Sequence, residues 1–255
     1  MKKILVGNTG LVGGVLKSQI NFDFEFNSKT IGEYQISVPN GCDLYLSCLP
    51  ATKWMVNKNI TQDFNNMMDI ISIISQKKYN SVILISTIDV YSDSPLESDE
   101  NYNPNFGQLS YGSNRLLFEE LVDKFISKND YKIFRLPALF TKNLKKNVLF
   151  DLLTNNQVEN INYNSSFQWY NLDNLCKDIL KFSNLKETQK IYNLFTEPIE
   201  TSDLLELFPE HKNKVVFKPV RLEYNFTTNL DKSGYIQTKQ SVLSEIINFI
   251  NEFRS

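Results

Sequence analysis

The chain has one histidine and three cysteines among its 255 residues, and these scarcities exclude several kinds of chemistry at once. His211 lies in the polar run Pro209-Glu210-His211-Lys212, which reads as a solvated loop, so a histidine-based metal site and a Ser-His-Asp triad are both excluded and no metal is expected. Cys42, Cys48 and Cys176 are odd in number and lack metal-ligand spacing, which argues against a disulfide framework and fits a reducing compartment. Charge of either sign is balanced: 27 Lys and Arg stand against 29 Asp and Glu, a net of -2. That disfavours nucleic acid or an anionic membrane as the main partner. No apolar run is long enough to cross a bilayer, and the apolar start Ile4-Leu5-Val6 is broken at Gly7, unlike a signal peptide. A soluble, cytoplasmic protein is expected. Repeats and low-complexity linkers are also missing.

Glycine is sparse too, yet three of the nine glycines fall in one stretch, Gly7-Asn8-Thr9-Gly10-Leu11-Val12-Gly13. An apolar strand runs into them, and helical spacing resumes at Leu11, Val12, Val15 and Leu16. This pattern reads as a dinucleotide-binding βα turn. Gly7 lets the chain leave the strand in a conformation closed to other residues, Gly10 leaves room for a pyrophosphate, and Gly13 lets the helix pack closely on the sheet. Free N–H groups at the helix start would face the phosphates.

Phe22 to Phe26 alternates aromatic and acidic residues and reads as a second strand. An NAD-selective site places an acid about 20 residues past the first glycine. Asn27, Ser28 and Lys29 stand there instead, a set that suits a 2′-phosphate and hence NADP, with NAD second; an ordinary polar turn has the same composition. Asp43 to Pro50 should be a central strand whose exit, Cys48-Leu49-Pro50, faces the cofactor. From Asn57 to Gln76, Ile60, Phe64, Met67, Met68, Ile71 and Ile74 form a helical stripe read as core. Val82 to Ile85 is a further buried strand, leading into Ser86-Thr87-Ile88-Asp89-Val90-Tyr91. Tyr111 and Arg115, four apart, share one helical face. A strand-end hydroxyl and a tyrosine beside a cation could transfer a proton, the cation and the helix dipole favouring the phenolate.

Together, the glycine turn, Ser86 to Tyr91, Tyr111-x-x-x-Arg115 and Arg135-Leu136-Pro137-Ala138-Leu139-Phe140 resemble the extended short-chain dehydrogenases/reductases. Among these the chain is most similar to the NAD(P)-dependent sugar-nucleotide epimerases, dehydratases and 4-ketoreductases, over about residues 1–180. The resemblance implies that Thr87 holds the substrate oxygen, Tyr111 is the acid/base, Arg115 binds the nicotinamide ribose, and Ser86 and Pro137 lie by the cofactor. It further implies substrate contacts from Thr87, Ile88 and Asp89. The usual lysine of Tyr-x-x-x-Lys is Arg115 here, a permanent cation that cannot relay protons. The Asp and Glu of the dehydratase motif are replaced by Ile88 and Asp89, which disfavours water elimination. Ala138 stands where members often carry Asn.

Lys145 and Lys146, in a basic loop entering the helix Val148 to Leu153, suit a substrate diphosphate or a solvated helix start. In the stretch Ser165 to Leu175, similar to the strand returning from the substrate lobe, Gln168 faces the substrate and Asp173 is a turn or cap residue. The remainder reads as a strand at 189–195, a helix at 201–207 capped by Thr201 or Ser202, a short strand at 214–217 and a closing helix at 240–253. The expectation is an α/β, Rossmann-type doubly wound parallel sheet. A nucleotide-binding domain spans 1–160, segment 161–195 returns to it, and a small C-terminal α/β substrate lobe spans 196–255. The expected reaction is NAD(P)-dependent reduction of a nucleotide-activated keto-sugar. The alternatives are a sugar-nucleotide epimerase, which would copurify with its cofactor, and a non-catalytic NAD(P)-binding sensor or scaffold. The family habit implies a homodimer through the helices 57–76 and 116–126.

Overall fold

The computed structural model describes residues 1–126, 130–183 and 189–254. Along the chain run β1 (Lys3–Val6), α1 (Leu11–Gln19), β2 (Phe24–Phe26), α2 (Tyr34–Ser37), β3 (Cys42–Leu46), α3 (Lys53–Lys58), α4 (Ile60–Ile74), β4 (Tyr79–Thr87), α5 (Tyr111–Phe125) and β5 (Asp130–Leu136). Then follow β6 (Ala138–Phe140), α6 (Val148–Thr154), β7 (Ser166–Phe167), β8 (Trp169–Asn171), α7 (Leu175–Ser183), β9 (Ile191–Asn193), β10 (Ile199–Glu200), α8 (Thr201–Glu206) and α9 (Lys239–Arg254).

Two compact units form, and their division differs from the one expected at 160 and 196. One comprises Met1–Ser94, Tyr102–Arg135 and Asn174–Tyr192; the other comprises Pro95–Asn101, Leu136–Asp173 and Asn193–Ser255. The second unit therefore gathers three separate stretches, and 136–160 belongs to it rather than to the unit that holds 1–94. Hydrogen bonding explains how a seven-residue excursion joins it: Glu100 accepts from Thr228 Oγ1 at 2.6 Å and from the backbone N–H of Asn193 and Asn229 at 2.8 Å each. Of the expected returning segment, residues 184–188 lie outside the described residues.

The first unit carries a six-stranded sheet in the order β2-β1-β3-β4-β5-β9. β1 pairs in parallel with both β2 and β3, and β3 pairs in parallel with β4. Because β2 lies on one side of β1 and β3 on the other, the order reverses at β1, a topological switch point where α/β sheets bind ligands beyond the strands' carboxyl ends. Ile4, Leu44, Leu46, Val82 and Leu84 are buried in its core, as apolar runs in a sheet covered on both faces require.

The helix expected at 57–76 is two, broken at Asn59, and its stripe splits: Met67, Ile71 and Ile74 are buried, while Phe64 and Met68 are 39% and 38% exposed. His211 is not solvated; it is 4% exposed, with Nε2 2.9 Å from the Leu152 carbonyl oxygen. No strand forms at 214–217, only an isolated bridge from Val216 to Asn162. The cap of α8 is Glu200, without a side-chain hydrogen bond, and the Thr201 hydroxyl donates instead to the Ser165 carbonyl. In the second unit β6 pairs with β8 in parallel and β7 with β10 antiparallel.

Candidate functional site

The glycine turn lies at the switch point, and its three glycines do different work. Gly7 has φ +104°, and a Cβ there would fall 2.3 Å from the Ser47 carbonyl oxygen at the exit of β3. A Cβ on Gly13 would meet the Gly7 carbonyl oxygen at 2.0 Å, so the first turn of α1 packs directly on the end of β1. A Cβ on Gly10 would meet nothing nearer than the Gly7 carbonyl oxygen at 3.5 Å, and this glycine caps α1 without a side-chain hydrogen bond. A cradle open at its middle glycine, with uncapped N–H groups behind it, fits a pyrophosphate. Thr9 is exposed, whereas Leu11 and Val12 are half-buried beside it.

Asn27 turns back to this loop, its Nδ2 donating to Asn8 Oδ1 at 3.2 Å, while its own Oδ1 accepts from the Lys29 backbone N–H at 2.9 Å. Asn8 in turn donates to Glu25 Oε2 at 3.0 Å, and Lys17 forms an ion pair with the same carboxylate. Burial works upward on the Glu25 carboxyl, but the Lys17 and Asn8 hydrogen bonds outweigh it and hold the group below its ordinary value. Ser28 and Lys29 remain exposed. Glu25 escaped sequence reasoning because strand alternation marks it only as a polar face. Cys48 and Leu49 are half-buried against the core, and burial pushes the Cys48 thiol up to about 12, which makes it a packing residue rather than a nucleophile.

The second half of the site assembles where β4 ends. Tyr111 is the first residue of α5, capped by Ser110 and Ser113 in a reciprocal box, and its backbone N–H is held by Asn57 Oδ1 at 2.8 Å. Behind it, a Cβ on Gly112 would lie 2.0 Å from the Asp89 carbonyl oxygen, so this glycine permits the helix to abut the short 3-10 turn Ile88–Tyr91. That contact sets the start of α5, and with it Tyr111, against the turn that Thr87 caps. Burial raises the phenol's pKa; the Arg115 charge works against it, Asp89 works with it, and the hydrogen bonds from Arg115 and Thr87 lower it, leaving a net upward shift. The cation thus opposes phenol protonation, as its spacing suggested, but desolvation prevails.

Arg115 itself is buried. Its Nη1 and Nη2 donate to Asp63 Oδ2 and Oδ1 at 2.8 and 3.0 Å, Nη2 also donates to the Pro50 carbonyl at 2.7 Å, and the guanidinium lies 4.5 Å from the Tyr111 ring centroid. Beside it, Asp89 pairs with Lys53 at 2.6 Å and its backbone N–H donates to Thr87 Oγ1 at 3.2 Å. Ser86 turns its hydroxyl to Glu119, within a buried network that includes Arg135 and Tyr91. Ile88 is 5% exposed, its side chain among the buried apolar residues.

The remaining candidates fall in the second unit. Pro137 is buried between β5 and β6. Lys145 and Lys146 are exposed in the loop before α6, and partial burial lowers the Lys146 pKa. Gln168 does not face an open site. It is 1% exposed, its Nε2 donates to the Thr196 and Phe226 carbonyls at 2.6 and 2.8 Å, and its Oε1 accepts from the Phe226 N–H at 2.9 Å. Asp173 accepts from Thr141 Oγ1 at 2.8 Å, in keeping with a turn role. Among the described residues, no cluster of His, Cys, Asp or Glu could hold a metal ion. No helix among them is long and apolar enough to cross a membrane.

No protein-family model matches the sequence, and no curated protein matches it. Solved structures do match. A dTDP-4-dehydrorhamnose reductase from Yersinia enterocolitica superposes with a TM-score of 0.74 at 13% identity, over 99% of this chain and 100% of that one. A UDP-N-acetylglucosamine 4-epimerase from Methanobrevibacter ruminantium M1, in complex with UDP-N-acetylmuramic acid, gives 0.74 at 12% identity, over 99% and 97%. A dTDP-4-dehydrorhamnose reductase from Bacillus anthracis str. Ames, in complex with NADP, gives 0.72 at 17% identity, over 97% and 98%. The chain therefore has the Rossmann-type fold of these sugar-nucleotide reductases and epimerases, over nearly its whole length.

Proposed function

We propose that this protein is an NAD(P)-dependent oxidoreductase that reduces a keto group on a nucleotide-activated sugar, with NADP preferred. The observation that carries the reading is the buried phenol of Tyr111, its ring 4.5 Å from the Arg115 guanidinium, on a helix start that Gly112 lets abut the turn following Thr87 at the carboxyl end of β4. Burial keeps that phenol protonated at neutral pH, the state a general acid needs. A bound nicotinamide would supply the hydride. The Thr87 hydroxyl would donate to the substrate's carbonyl oxygen, and Tyr111 Oη would deliver the proton to that oxygen as it gains charge. The glycine turn would hold the cofactor's pyrophosphate on backbone N–H groups, and exposed Ser28 and Lys29 would favour a 2′-phosphate. The NADP-bound reductase and the UDP-sugar epimerase that share the fold support a nucleotide-sugar substrate.

The test is to titrate NADPH and NADH separately and then follow oxidation of NADPH in the presence of dTDP- and UDP-linked 4-keto sugars. Wild type should bind NADPH exchangeably and turn over at least one of them. Tyr111→Phe should keep NADPH affinity and lose about two to four orders of magnitude in turnover. Unchanged turnover in that variant would sink the assignment.

A further inference from the structure

Arg115 has five N–H donors, and the protein takes up most of them. Three hydrogen bonds go to Asp63 and to the Pro50 carbonyl, and the guanidinium lies 4.5 Å from the Tyr111 ring centroid. Asp63 lies on α4, 52 residues before Arg115, and it also accepts from Asn114 Nδ2 at 2.9 Å. Its carboxylate is 3% exposed and the guanidinium 6%. A bidentate pair fixes both the plane and the position of a guanidinium, which a lysine ammonium, a point charge, would not. We propose that Asp63 is a positioning residue of the Tyr111 site: it clamps Arg115 against the phenol and the Pro50 loop, so that the guanidinium serves these groups instead of the ribose of a bound cofactor. The inference rests on the reading of Tyr111 as the proton donor.

The test uses the full chain, whose four arginines give few side-chain signals. Guanidinium 15N spectra are recorded with and without NADPH, Arg115 being assigned through Arg115→Lys. Wild type should show resolved, slowly rotating Arg115 Nη–H signals that NADPH leaves in place. In Asp63→Asn these should collapse to an averaged line, turnover should fall about tenfold, and NADPH affinity should stay within about twofold of wild type. Asp63→Glu keeps the charge pair and guards against a failure to fold; it should recover resolved signals and part of the lost turnover. Averaged Arg115 signals in wild type, displacement of those signals by NADPH, or a large loss of NADPH affinity in Asp63→Asn would each overturn the proposal. If wild type reduces no sugar nucleotide, the functional reading fails, yet the spectra still decide whether Asp63 clamps Arg115.

Discussion

Arg135 grips the carboxylate of Glu119 with two hydrogen bonds, Nε to Oε1 at 3.1 Å and Nη2 to Oε2 at 2.6 Å, and its Nη1 reaches the Tyr91 hydroxyl at 2.6 Å. Neither side chain of the ion pair is more than 4% exposed. This pair ties α5, β5 and the turn after β4 together, and Ser86 at the end of β4 joins it through Glu119. Removing one member strands a buried charge, so Arg135→Met should cost about 3–5 kcal/mol. Urea unfolding at neutral pH measures it, and a loss below 1 kcal/mol on the scale usual for exposed pairs would refute the pair's structural weight.

Gly112 sets the approach of α5 to the Asp89 carbonyl. A methyl group there would overlap backbone, not a movable side chain. Gly112→Ala should destabilise the fold by about 1–3 kcal/mol. It should also lower turnover further than the loss of folded protein explains, because the helix start that carries Tyr111 must shift. A variant with full specific activity per folded molecule would contradict this account.

For the phenol, the sign of the pH effect distinguishes acid from base. Its pKa is raised above the ordinary 10.0. A general acid works below its pKa and fails above it, so the reductive rate should be flat through neutral pH and decline only beyond about pH 10. A reductive rate that instead rises with pH across the neutral range would assign Tyr111 the opposite role.

Gln168 should matter for stability alone. Gln168→Ala leaves the Phe226 N–H and two buried carbonyls without their partner, at about 1–3 kcal/mol for a bare group. Thermal melts should report that loss while KM for the nucleotide sugar stays within about twofold in the folded fraction. A KM raised tenfold with an unchanged melt would restore the substrate-facing role expected from its place in the chain.

The thiols should be inert. Burial pushes Cys48 up to about 12 and Cys176 up to about 11, so little thiolate exists at neutral pH. Alkylation by iodoacetamide at pH 8 should be slow in native protein and fast in urea; rapid native labelling at Cys48 would disprove its packing role.

The strand, turn and helix at 3–19 are legible from the residues alone. The steric demands that place glycine at 7 and 13 are local, and apolar spacing changes period across them. Equally legible is the helical face that Tyr111 and Arg115 share. Long-range packing sets which groups those side chains meet. Asp63 reaches Arg115 across 52 residues, Glu119 gathers Ser86 and Arg135, and Gln168 and His211 disappear into the interior. A local pattern records which faces are apolar, but a buried polar residue's role depends on a partner contributed from far along the chain. The same holds for Tyr111: its neighbours in sequence supply a cation that draws its pKa down, and only the enclosing fold supplies the desolvation that overrides it.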